Sequence, residues 1–113
     1  MTPQAFEAAA LALPATTKVV QWGNSEVFKI GGKIFAVMGL GGAFSIKVSD
    51  IAYAALTETG AARPAPYLAR AKWVAFDDLE ALDSAEVADW LATAHALVAA
   101  KLTRAERRAL GLA

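Results

Sequence analysis

The chain contains no cysteine, so it has neither a disulfide nor a thiolate metal site. Its single histidine, His95, excludes Cys/His catalysis and any metal centre built from several imidazoles. It has no charge excess, because eleven Lys+Arg offset eleven Asp+Glu. A uniformly basic nucleic-acid binder is thereby ruled out, as is a polyacidic tail. Long hydrophobic runs are missing too. Ala8 to Leu13 is apolar but short, and Ile34 to Ala43 is interrupted by three glycines; both fall well below the roughly 20 residues of a bilayer span. Met1-Thr2-Pro3-Gln4 lacks the basic residues that open a secretory signal. The expectation is a soluble cytoplasmic protein with no membrane partner.

What is present describes one compact unit. A length of 113 residues fits a single domain over 1–113. The hydrophobic fraction is 57% and charged residues are 19%, which excludes intrinsic disorder. Alanine supplies 28 of these residues, so the larger apolar side chains suffice for one core and no more.

The punctuation of the chain predicts its elements. Thr2 before Pro3 is a helix start, Phe6, Ala9, Ala10 and Leu13 fall at helical spacing, and Pro14 ends the element. Strands are predicted over Thr17 to Trp22, Ser25 to Ile30 and Lys33 to Leu40, the last two flanking a Gly31-Gly32 hairpin turn. Ala43 to Val48 alternates apolar and polar residues, the pattern of a strand with one buried face. Ser49-Asp50 caps a short helix through Thr59, and Arg63-Pro64-Ala65-Pro66 is expected to be irregular. Trp73 to Phe76 reads as a last strand. Asp83 with Glu86 opens a long helix whose stripe runs from Val87 to Leu102, and Thr103 with Glu106 opens a small terminal one. The order predicts an α+β fold: a two-layer α/β sandwich with a mainly antiparallel sheet covered on one face by N- and C-terminal helices.

Charge is segregated within the neutral total. Residues 18–72 carry seven basic and three acidic side chains, residues 77–89 six acidic and no basic ones, and residues 101–108 four basic and one acidic. Lys29, Lys33 and Lys47 fall in the hairpin region; Arg63, Arg70 and Lys72 fall near Tyr67 and Trp73. Basic side chains among aromatics suit contact with a nucleic-acid backbone and some stacking. A two-residue turn places Lys29 and Lys33 on opposite faces, so either one of them sits at the tip or the patch is not continuous. Lys101, Arg104, Arg107 and Arg108 follow a helix C-terminus, where the helix dipole alone accounts for cations.

No catalytic motif is present. Gly31-Gly32-Lys33 joins two strands and lacks the other residues of a phosphate loop. His95 borders the apolar stripe of the long helix and is expected to pack there. Asp77, Asp78, Glu80, Asp83, Glu86 and Asp89 do not follow the spacing of a calcium loop, and two of them have capping positions. Catalytic residues, metal and cofactor are all expected to be absent.

Several segments together resemble the MmcQ/YjbR-like family. Val27-Phe28-Lys29-Ile30-Gly31-Gly32-Lys33-Ile34-Phe35-Ala36 is similar to that family's F-K-V-G-G-K-x-F-A hairpin, and Ser45-Ile46-Lys47-Val48 to its S-L-K strand. Leu11-Ala12-Leu13-Pro14, Arg63-Pro64-Ala65-Pro66-Tyr67-Leu68 before Trp73, and Leu97-Val98-Ala99-Ala100-Lys101-Leu102 complete the ordered set. The resemblance implies a CyaY-like (frataxin-like) architecture and a DNA-binding label without an established enzymatic activity. Under that label Lys29, Lys33 and Lys47 contact phosphates, with Arg63, Arg70, Lys72 and Trp73 beside them. The chain departs from the family pattern at Ala94-His95, where many relatives have Ser-Tyr, and at Ala69-Arg70-Ala71-Lys72, where many have Asn-Lys-x-His. Frataxin-like iron binding does not carry over, since Glu7 is the only acid before Glu26. The alternative is a non-catalytic module binding a small molecule or protein in a groove lined by Tyr67, Trp73 and Trp22. A monomer or a weak homodimer paired through a strand edge suits either reading.

Overall fold

The structure is a computed structural model that describes residues 1–66 and 71–112. Helix α1 (Pro3–Leu11) begins where Thr2 accepts a hydrogen bond from the Ala5 amide. Three strands follow: β1 (Thr16–Gln21), β2 (Ser25–Ile30) and β3 (Lys33–Met38). Strand β4 (Phe44–Lys47) leads into α2 (Asp50–Glu58), capped by Ser49. Strands β5 (Arg63–Pro64) and β6 (Trp73–Phe76) complete the sheet, and α3 (Ser84–Ala99) and α4 (Arg104–Ala109) close the chain. The caps expected at Asp83 and Thr103 are formed, the latter as a reciprocal capping box with Glu106.

All neighbouring strands are antiparallel, in the order β1-β2-β3-β4-β6-β5. The α+β sandwich is therefore as expected, with one correction. Arg63–Pro64 is not irregular: it pairs with Ala75 and Val74 as an outermost strand. Proline has no amide to donate, and a sheet edge is where that loss is tolerated.

Apolar alternation decides which face is covered. Phe28, Ile30, Phe44, Ile46, Val74 and Phe76 turn toward the helices and join Phe6, Val87, Leu91, Ala94 and Val98 in the main core. An aromatic chain runs through it, with Phe6 5.3 Å from Phe44, Phe44 4.9 Å from Phe76 and Phe76 4.8 Å from Trp90 between ring centres. Helices α1 and α3 lie side by side on this face, each starting at the same end of the sheet. His95 belongs inside the packed face rather than at its margin. It is buried, its Nε2 donates to the Pro14 carbonyl oxygen at 2.7 Å, and its ring meets Phe35 edge-on. The bond ties the exit of α1 to the last turns of α3. On the opposite face a smaller cluster forms from Ala65, Trp73 and Ala75 with Ile34 and Val37.

Strand direction gives the sheet two unlike ends. The β2–β3 turn, the end of β4 and the start of β6 lie at one; the β1–β2 turn, the start of β4 and the end of β6 lie at the other. The Gly31-Gly32 turn has φ of 58° and 78°, the left-handed pair that a two-residue hairpin of this twist requires. Gly31 is further constrained: a Cβ there would stand 2.8 Å from the Leu102 side chain and 3.3 Å from Leu110. The bare turn is thus the seat on which the chain leading into α4, and α4 itself, rest.

Candidate functional site

The hairpin end of the sheet collects the lysines. Lys29 points to the open face opposite Ile34, and Lys33 pairs with Ile30 beside the turn, exposed at the tip on the other side. The sequence-based geometry is therefore realised, with Lys33 as the tip residue. Lys47 lies on the open face two strands from Lys29, roughly 10 Å away at ordinary strand spacing. Its Nζ donates to the Ala71 carbonyl. Lys72 precedes β6 in a left-handed conformation, φ 63°, and lays its Nζ 4.8 Å from the centre of the Tyr53 ring.

These charges sense one another. Lys47 is held below its ordinary value of 10.5 mainly by burial, then by the Lys101 ammonium; Asp50 opposes the shift, and Lys72 adds a weaker repulsion. Among the described residues, none of Lys29, Lys33, Lys47 or Lys72 forms a salt bridge. Lys18, by contrast, is forked between Glu7 at 2.8 Å and Glu26 at 3.1 Å.

The acidic residues sit at the other end. Asp77 follows β6, Asp78 caps a short 3-10 turn at Leu79–Ala81, and Asp83 caps α3. Five residue steps of extended chain, roughly 17 Å, separate Lys72 from Asp77. A molecule with no net charge is thus polarised along its strands. Capping accounts for two of these carboxylates, since helix N-termini favour negative charge.

Not every residue singled out in the sequence joins the basic end. Arg63 lies opposite Ala75 and turns toward the acidic end, where it bonds Asp77 through Nε at 3.1 Å and a terminal nitrogen at 2.8 Å. Trp73 is only 6% exposed and packed under Ala65, so it offers no face for base stacking. Arg70 lies outside the described residues, as does Tyr67. Of the aromatic residues considered for a groove, Trp22 and Trp73 do not meet. Trp22 is exposed in the β1–β2 turn, at the acidic end, while Trp73 sits four strand spacings away, roughly 19 Å across the sheet. Sequence reasoning missed Lys101 as a neighbour of Lys47, because their proximity depends on α3 ending at the same edge where β4 ends.

The six-stranded antiparallel sheet, with helices on one face and a cationic end whose lysines form no salt bridge among the described residues, defines a small two-layer α+β protein. The chain belongs to the YjbR family, whose family model matches residues 11–97. Its fold is similar to that in the crystal structure of the Deinococcus radiodurans protein DR2400, which carries a DUF419 domain. That likeness has a TM-score of 0.86 at 22% identity and covers 99% of this chain and 89% of that one. No curated protein sequence matches the chain. Among the described residues, no helix is long and apolar enough to cross a membrane.

Proposed function

We propose that the protein is a non-catalytic, cytoplasmic module that contacts the phosphate backbone of DNA through its basic end. Lys29, Lys33 and Lys47 make the contacts, with Lys72 beside them. The observation that carries this reading is the gathering of Lys29, Lys33, Lys47 and Lys72 at one end of the sheet, where, among the described residues, none of them forms a salt bridge. Like charges held together in this way are relieved by an anion, and a polyanion meets several of them at once. The reading assigns no base-specific contact: the stacking candidate Trp73 is buried, and α4 beside the hairpin turn is only six residues long. It also leaves Arg63 out, since its guanidinium is already engaged by Asp77.

Fluorescence anisotropy with a labelled duplex of about 20 base pairs, at stepped salt concentrations, tests the proposal. Four phosphate contacts give a slope of about −3.6 in log K against log salt. A Lys29→Ala/Lys33→Ala/Lys47→Ala variant that keeps its circular dichroism spectrum should retain about a quarter of that slope. Absence of binding at low salt, or an unchanged slope in the variant, removes DNA backbone contact from these lysines.

A further inference from the structure

Three arginines outside the lysine group are unaccounted for. Arg104, Arg107 and Arg108 occupy positions i, i+3 and i+4 of α4 and therefore share one side of it. With Leu112 they line a concavity of about 510 Å³. Among the described residues, none of the three has a carboxylate within salt-bridge distance. The one acid on α4, Glu106, is turned into the capping box, its Oε1 accepting from the Thr103 amide at 2.8 Å.

The helix dipole explains only part of this. Arg107 and Arg108 lie in the last turn, where cations are favoured, but Arg104 opens the helix at the end that disfavours them. The apolar wall is also placed by design of the chain. Gly111, at φ 77°, turns it back so that Leu112 N–H reaches the Arg107 carbonyl at 2.8 Å and Gly111 N–H the Arg108 carbonyl at 3.1 Å. Leu112 thereby lines the concavity beside the arginines while packing on the main core, and Leu102 and Leu110, which flank α4, lie against the Gly31 turn.

We infer that this concavity is a binding site for a phosphate-bearing small molecule, distinct from the lysine surface and independent of the DNA reading. Guanidinium groups stay charged, and each presents a planar fork of donors that matches two phosphate oxygens. The volume falls in the range of small-molecule sites, so the phosphate arrives on an organic body, part of which rests on Leu112.

Isothermal titration calorimetry with pyrophosphate and adenosine triphosphate as probes tests the site, beside the duplex titration described above. The expected result is binding of adenosine triphosphate that falls about tenfold or more in Arg104→Ala/Arg108→Ala. Arg104→Lys/Arg108→Lys, which keeps charge and fold but loses the forks, should fall by a similar factor. The Lys29→Ala/Lys47→Ala variant, which changes only the sheet face away from the helices, should bind the nucleotide as the parent does. Binding of neither small phosphate would overturn the proposal, and duplex affinity that then falls in Arg104→Ala/Arg108→Ala would assign the arginines to a nucleic-acid surface. Nucleotide binding that survives both arginine variants, or no binding of any probe, would overturn it as well. A failure of duplex binding alone touches only the DNA reading.

Discussion

His95 and Gly31 are the residues where the fold constrains chemistry most tightly. His95 was legible as a packing residue because it borders an apolar stripe, but its partner was not: Pro14 lies 81 positions away and meets it only once α1 and α3 lie together. His95→Phe keeps a flat ring, though a larger one, and leaves the Pro14 carbonyl without a donor, so urea denaturation should show a loss of about 2 kcal/mol with duplex affinity unchanged. A loss of affinity in a variant of full stability would instead make His95 part of a site. Gly31→Ala places a Cβ against Leu102 in a left-handed conformation, which alone costs about 1–2 kcal/mol. It should also loosen α4, seen as faster amide exchange over residues 104–109, whereas Gly32→Ala, with open space around it, should leave α4 protected. Arg63 and Trp73 show the limit of reading residues one at a time. Their types suit nucleic acid, yet Asp77 has engaged one and Ala65 covers the other.

Among the elements, those with local punctuation were readable to within a residue or two. Thr2, Ser49, Asp83 and Thr103 all cap where their sequence context places them, because a cap is satisfied by amides two or three residues away. Strand β5 escaped notice because Pro64 biases Arg63 toward an extended backbone without specifying a partner; its pairing is imposed by β6. The capping box of α4 also carries a pH dependence. Glu106 is held below its ordinary value of 4.5 by hydrogen bonds from the Thr103 amide and then its hydroxyl, with Lys33 adding attraction. A depressed carboxylate stabilises the fold above 4.5 and loses that contribution as pH falls through the lower, folded-state value. Protection of the α4 amides, taken relative to the intrinsic exchange rate at each pH, should therefore fall in the acid range below pH 4.5. Thr103→Ala should lose about 1 kcal/mol at neutral pH and show a smaller acid step. Equal acid steps in parent and variant would mean that the cap is not the titrating element.

At the scale of the whole molecule, neutrality conceals a dipole. The segments of opposite charge were countable in the sequence, but their separation in space was not, since it follows from the direction in which β4, β6 and α3 run. With lysines at the hairpin end and carboxylates roughly 17 Å away along β6, an approaching polyanion is drawn to one end and repelled from the other. Adding acid at the basic end should therefore weaken duplex binding more than adding it at the far end: Lys33→Glu should lower affinity strongly at low salt, and Asn24→Glu only slightly. The most direct measurement is a titration of ¹⁵N-labelled protein with an unlabelled duplex at low salt, followed by amide chemical shifts. Perturbations concentrated at residues 29–33, 47–48 and 72, reversed by added salt, are the predicted result. Perturbations centred on the Trp22 turn and Asp77 to Glu80, or none at all, would contradict a phosphate-binding basic end.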